Sequence, residues 1–216
     1  MKRVIGIVAL LIGSVAYGQQ DPAAKALLDE VSATTRGYEN IDLDFSFSLV
    51  NTSASIPPAT MEGSILIQGE SYHLELEGNE QISDGERIWR VLPDDEVVET
   101  MGVDDMEEEG LTPSLLLTMY ESGFKYKLGD KKAFRDGEVQ LVYLFPENPE
   151  AVPYSSVELA VDTEKNQIMY LMENGKDGTV TTYEILTFET DVEVPAGSFT
   201  FDSNKYPGFE VIDVGF

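Results

Sequence analysis

The chain of 216 residues has no cysteine, one histidine (His73), one tryptophan (Trp89), and 14 lysines and arginines against 40 acids. Without cysteine there is no disulfide scaffold, thiolate metal centre, iron–sulfur cluster or thiol nucleophile. With one histidine, any serine–histidine–aspartate or histidine–metal chemistry must run through His73. A formal charge of −26 leaves no basic stripe to displace counterions from phosphates, so nucleic acid is a poor partner. These shortages disfavour most enzyme classes, and the reading is of a protein that is not an enzyme and uses no cofactor. What is present is hydrophobic residue, 42 % of the chain, enough for a packed core in a single domain.

The first residues have the form of an export signal. Met1-Lys2-Arg3 is basic, Val4 to Ala16 is apolar, and Ala16-Tyr17-Gly18 offers small residues where a signal peptidase reads. An apolar run of about 13 residues is too short to span a hydrocarbon layer of ~30 Å, which needs about 20. The expectation is a signal peptide over 1–18 and one domain over 19–216. Losing Lys2 and Arg3 leaves 12 basic residues against 40 acids, a charge of −28. No cysteine follows the apolar run, so the mature chain cannot be lipidated there. A basic start and short apolar run suit bacterial export, which places the protein in the periplasm.

Asp21-Pro22 reads as a helix start, an acidic cap followed by proline at the first helical position. Leu27, Leu28, Val31 and Thr34 or Thr35 then give one apolar stripe as far as Arg36-Gly37. The period next switches to two: Ile41, Leu43, Phe45, Phe47 and Leu49 alternate with Asp42, Asp44, Ser46 and Ser48, a half-buried antiparallel strand. Further strands are predicted at 61–68, 71–77, 81–83, 87–92 and 97–101. After a break they resume at 124–128, 138–145, 157–162, 167–173 and 180–188. Gly69, Asp84-Gly85, Asp136-Gly137, Asn174-Gly175 and Asp177-Gly178 punctuate them. Hairpin-linked strands in such number predict a strongly curved sheet or incomplete barrel. The break itself, Thr112-Pro113 followed by Leu115, Leu116, Leu117, Met119 and Tyr120, predicts a short helix apolar almost all round. Such a helix lies over a sheet or plugs a barrel mouth, with Leu115, Leu116 and Met119 able to share one face.

Little in this pattern points to bond chemistry. His73 stands on the polar side of its strand, with no local acid and nucleophile to make it a general base. Asp94-Asp95-Glu96 and Asp104-Asp105 with Glu107-Glu108-Glu109 lack the spacing that wraps calcium and read as solvated loops, so no metal site is expected. Forty acids guarantee accidental carboxylate pairs, so pairing alone argues nothing for glycoside hydrolysis. What remains is apolar surface: Phe45, Phe47, Leu74, Leu76, Trp89, Leu116, Met119, Tyr143 and Leu171 are either packed core or the wall of a ligand cavity at the mouth of the sheet.

The order of local motifs resembles the LolA family of periplasmic outer-membrane lipoprotein carriers. An opening amphipathic helix leads through Tyr38-Glu39-Asn40-Ile41 into Asp44-Phe45-Ser46-Phe47. A G-x-[ILV]-x-[ILV] strand appears as Gly63-Ser64-Ile65-Leu66-Ile67, and a D-G-x-x-[IVL]-W turn as Asp84 to Trp89. The T-P-x-x-L-L helix is Thr112 to Leu117. The ending Phe199-Thr200-Phe201, then Pro207-Gly208-Phe209-Glu210-Val211-Ile212-Asp213, is also similar. The chain departs at the K-R-P turn, where it has Gln68-Gly69-Glu70-Ser71-Tyr72, as in a divergent branch. The family latches its lid with a cavity arginine; the mature chain's candidates are Arg36, Arg87, Arg90 and Arg135.

The resemblance implies an α+β, mainly β fold: an incomplete antiparallel barrel closed by short helices that form a lid over a hydrophobic cavity. It implies a monomeric chaperone that shields lipoprotein acyl chains between inner and outer membrane, loaded by an inner-membrane ABC-type release complex and unloading to an unidentified acceptor. Cavity and lid would be Phe45, Phe47, Leu74, Leu76, Trp89, Leu115, Leu116, Met119, Tyr143 and Leu171. The other reading of the same residues is a secreted β-rich module with a packed core that recognises an envelope protein or glycan. N-terminal sequencing of the exported protein should give a chain starting near Gln19; Lys2-Arg3 retained in the folded product would overturn the signal assignment.

Overall fold

The structure is a computed structural model that describes residues 20–51, 53, 57–105 and 119–215. The opening helix α1 spans Pro22–Thr35. Its cap is Asp21, whose Oδ1 accepts from the N–H groups of Ala23 at 2.9 Å and Ala24 at 3.3 Å, with proline at the first helical position. Asp21 also stitches the helix to a strand, its Oδ2 accepting from Leu128 N–H at 3.1 Å and its own N–H donating to the Tyr126 carbonyl at 3.2 Å. These donors, that of Leu128 foremost, hold the Asp21 carboxyl below the ordinary carboxylate range. Ala24, Leu28 and Val31, spaced four and three apart, are the helix's buried apolar face.

Two meanders make one sheet. The first is β1 (Ile41–Asn51), β2 (Ala59–Gln68), β3 (Ser71–Leu76), β4 (Asn79–Ser83), β5 (Arg87–Leu92) and β6 (Val97–Gly102). The second is β7 (Phe124–Phe134), β8 (Gly137–Pro146), β9 (Tyr154–Asp162), β10 (Gln167–Gly175) and β11 (Thr179–Thr190). The chain enters the second meander at the far edge, so β11 returns to lie against β1, and a last short strand, β12 (Glu210–Asp213), pairs parallel to β6. The order is β12-β6-β5-β4-β3-β2-β1-β11-β10-β9-β8-β7, an open curved sheet rather than a closed barrel. The expected mainly-β architecture is the observed one.

Boundaries differ from the sequence reading where geometry intervenes. β7 continues past Leu128 to Phe134, because a bulge between Leu128 and Lys131 lets it bend without ending. Asn174-Gly175 lies inside β10, and the turn falls on 176–178, with Gly178 at φ 85°. β12 has no counterpart among the predicted strands, because its four residues are all exposed and no alternation marks it. Met119 opens a 3₁₀ turn, Met119–Glu121. The remainder of the expected apolar helix, including Leu115 and Leu116, lies outside the described residues. Among those described, no helix is long and apolar enough to cross a membrane.

Residues directly opposite across a ladder share a face, so the register divides the molecule. The inner face carries α1, packed on Tyr126, Val142, Leu144, Val157, Leu159, Val161, Ile168 and Leu171 together with Tyr120 and Phe124. The same face continues across β11, β1, β2 and β3 as a second cluster: Ile185, Ile41, Leu43, Ile65, Ile67 and Tyr72. The outer face is covered twice. The β7–β8 hairpin brings Phe134 against Tyr170, centroids 5.5 Å apart, over Val139, Leu141 and Ala160. The C-terminal segment stacks Phe201 on Trp89 at 6.2 Å, beside the fully buried Val91 and Val98.

Two consequences for stability follow. At Gly63 a Cβ would lie 2.6 Å from the Glu75 carbonyl oxygen and 2.8 Å from the Phe45 ring. Because one of those atoms is backbone, Gly63→Ala should cost about 1–3 kcal/mol by overpacking, measured by denaturant unfolding. Glu173 lies on the inner face in register with Val157 and Thr181, and burial raises its carboxyl above the ordinary value of 4.5. A raised carboxyl favours folding while protonated and loses that contribution as pH rises through the folded value. Glu173→Gln should therefore raise the unfolding midpoint at pH 7, and the gain should vanish as pH falls below 4.5.

Candidate ligand-binding face

Five of the ten residues expected to line a cavity share the inner face. On β1, Phe45 and Phe47 stand in register with Gly63 and Met61 of β2, and Gly63 in turn with Leu76 of β3. Leu74 pairs with Ile65 and packs on the edge of the second cluster, as Phe45 does. The absence of a side chain at Gly63 is what seats the Phe45 ring against the neighbouring strand. Leu171 sits on the same face but is 5 % exposed in the core under α1. Between the helix-covered half and the second cluster, Phe47 meets Tyr183 of β11 at 5.1 Å. Phe45, Phe47, Met61, Leu74 and Leu76 are half-buried, and Leu49, next along the row, is 36 % exposed.

Trp89 and Tyr143 are on the other face, which corrects their placement in one wall with these residues. Trp89 is in register with Ile82 and Thr100, hence with His73, and stacks on Phe201. Its strand is covered on both sides, with inward Ile88 and outward Val91 both fully buried, so alternation could not report its parity. Tyr143 opposes Glu158 and packs where Gly129 leaves room: a Cβ there would come within 2.7 Å of the tyrosine ring. Leu115 and Leu116 lie outside the described residues, and Met119 begins the 3₁₀ turn beside α1. Sequence reasoning missed Met61 and Tyr183 on the inner face. The period-two run over 180–188 could have indicated Tyr183, in register with Phe47.

Of the four arginines, Arg90 alone stands on the inner face within the sheet, opposite Gln81 and bonded to Glu99 Oε2 at 2.9 Å. Gln81 in turn donates to the Tyr72 hydroxyl at 2.5 Å. Arg36 pairs with Glu121 at the end of α1, Arg87 donates to Thr100 Oγ1 at 3.2 Å on the outer side, and Arg135 reaches Glu184 at 2.8 Å from the β7–β8 turn.

The outer face carries a different chemistry. A groove of about 700 Å³ is lined by Asp44, Glu62, Ser64, Glu75, Glu77 and Glu80 among others, with no lysine or arginine among the described residues that line it. Beside it Asp42 is raised above the ordinary carboxylate range by burial and by its neighbours Asp44 and Glu189. This groove is acidic and is not an acyl cavity. His73, Glu75 and Glu80 are the group of possible metal ligands among the described residues. The acids at 94–95 and 104–105 do not form one; Asp105 Oδ2 instead accepts from Gly102 N–H at 3.1 Å.

No family model matches the chain, and no curated protein matches it. Solved structures do. The chain is similar to an uncharacterized conserved protein of Thermus thermophilus, at 9 % identity over 88 % of this chain and 99 % of that one, TM-score 0.60. It is similar to the Mycobacterium tuberculosis lipoprotein LppX, at 10 % identity over 81 % and 100 %, TM-score 0.51. A LolA superfamily protein of Nitrosomonas europaea matches at 12 % identity over 83 % and 98 %, TM-score 0.44. At these identities the likeness is one of fold alone.

Proposed function

We propose that this protein is an exported carrier that shields acyl chains on the inner face of its sheet, and that the chains are those of lipoproteins crossing the periplasm. The observation that carries the reading is the half-buried apolar row Phe45, Phe47, Leu74 and Leu76, continuous with a packed core yet not itself packed under α1. The physical need is easy to size. At ~0.8 kcal/mol per buried CH₂, three chains of roughly 15 methylenes would expose about 36 kcal/mol of hydrocarbon to water. A carrier must remove that cost without gripping so tightly that delivery fails, and a plain apolar wall with few polar anchors does so.

The finer assignments rest on the resemblance. By that resemblance the segment containing Leu115 and Leu116 serves as the lid, and an inner-membrane ABC-type complex supplies the cargo. The charge and composition that disfavoured nucleic acid and most catalysis support a binding role without bond chemistry.

Two measurements separate a carrier wall from packed core. Phe47→Ala in a packed core would cost about 3–5 kcal/mol; beside a part-empty cavity the lost contacts are fewer, and the cost should be about 1 kcal/mol. A brominated fatty acid should quench a tryptophan placed at position 47 (Phe47→Trp with Trp89→Phe) and leave Trp89 of the wild type bright, because they lie on opposite faces. The full core penalty together with no acyl binding would favour a packed module that recognises its partner by its surface.

A further inference from the structure

We propose that His73, Glu75 and Glu80 form a binding site for one first-row divalent cation, with Zn²⁺ the best fit, on the outer face of the β3–β4 hairpin. The hairpin's turn creates the site. Glu77 and Gly78 both have positive φ, 52° and 81°, the two-residue turn whose twist matches its strands. That turn sets Glu75 directly opposite Glu80. His73 lies two residues earlier on the same strand, hence on the same face. The only imidazole in the chain and two carboxylates thus converge, though nothing in the linear sequence around His73 announces it.

The distances suit a metal. His73 Nε2 is 3.1 Å from Glu80 Oε2 and 3.8 Å from Glu75 Oε1, and the three ligand atoms lie within 4.8 Å of one another. Bonds of roughly 2.0–2.2 Å at tetrahedral or octahedral angles place ligand atoms about 3.0–3.5 Å apart, so small rotations close the set. One nitrogen and two oxygen donors favour the later first-row ions over magnesium or calcium, which prefer all-oxygen sites.

Three surroundings support the site. The acidic groove borders it through Glu75 and Glu80, leaving room for a water as further ligand. Asp44, Glu62 and Glu77 line the same groove, and no lysine or arginine is among the described residues lining it, so the local field attracts positive charge. Tyr206 donates its hydroxyl to Glu80 Oε2 at 2.9 Å, the kind of outer contact that orients a ligating carboxylate. Tyr206 belongs to the C-terminal segment and stacks on Phe201 at 5.5 Å, which stacks on Trp89. The bound ion would therefore sit where that segment is fastened to the sheet. This site is on the opposite face from the acyl row and does not depend on the carrier reading.

The test uses the full mature chain without a histidine tag, titrated with ZnCl₂ and followed by calorimetry and by the imidazole NMR signals of the single histidine. One equivalent should shift those signals and saturate, and millimolar Mg²⁺ or Ca²⁺ should not displace it. His73→Ala and Glu80→Gln should each weaken the site by about 100-fold and Tyr206→Phe by about tenfold, the range that outer-contact losses cause. Zinc that binds only diffusely to surface acids, leaves the imidazole unshifted, or binds His73→Ala as tightly as wild type would overturn the proposal. Should His73→Ala fail to fold, paramagnetic shifts of the wild-type imidazole on adding Co²⁺ decide it: shifted signals support the site, unshifted signals overturn it.

Discussion

The pairing of β1 with β11 holds the two meanders together as one sheet, and Asn40 starts it. The Asn40 side chain donates to the Val192 carbonyl at 3.0 Å and accepts from the Val192 N–H at 2.9 Å, while its own carbonyl accepts from Asp191 N–H at 3.1 Å. Asp191 Oδ1 in return accepts from Glu39 N–H at 2.7 Å. Asn40 is 5 % exposed, so these amide groups would be costly to leave without partners. From this clamp the ladder runs from Ile41↔Thr190 to Asn51↔Thr179, across a sequence separation that makes its loop closure expensive and its register decisive. A one-residue slip would turn Ile41, Leu43, Phe45 and Phe47 outward together. The bulge between Asp44 and Phe45 keeps them aligned with the inward residues of β11.

Given that pairing, the two faces take separate tasks. The inner face is a packed core under α1 and again at the second cluster, and a half-buried apolar wall along Phe45, Phe47, Leu74 and Leu76. The outer face is sealed by aromatic stacks at the C-terminal segment and by the β7–β8 hairpin, which bends over at Gly129. Between these seals the outer face is acidic: Asp42, Asp44, Glu62, Glu75 and Glu80 come from four adjacent strands. Burial, and after it the neighbouring Asp44 and Glu189, raises Asp42 there. The same arrangement keeps charge away from the apolar wall. Glu173 and the paired Arg90–Glu99 are the charged groups that β10, β5 and β6 do carry on the inner side.

Much of the architecture was legible because two periodicities are written openly. The cap at Asp21 and the spacing of Leu28 and Val31 set α1, and the alternation from Ile41 to Leu49 set β1 and its buried side. Alternation works where one face is wet and the other dry, as at Tyr72, Leu74 and Leu76. It fails on β5, where both faces are covered and Trp89 looks no more inward than Ile88. It fails again on β12, exposed throughout, and around Tyr143, whose burial on the outer face depends on a hairpin folding over it.

By itself, therefore, the sequence determined the helix start, the strand count of the meanders and the apolar side of the half-buried strands, all of which are local matters of cap and period. Tertiary structure decided which apolar rows share a wall, which arginine lies inside, and that His73 meets Glu80. Those follow from register and from pairings between residues as far apart as Asn40 and Val192. A register is a relation between two strands, and no periodicity within either one contains it.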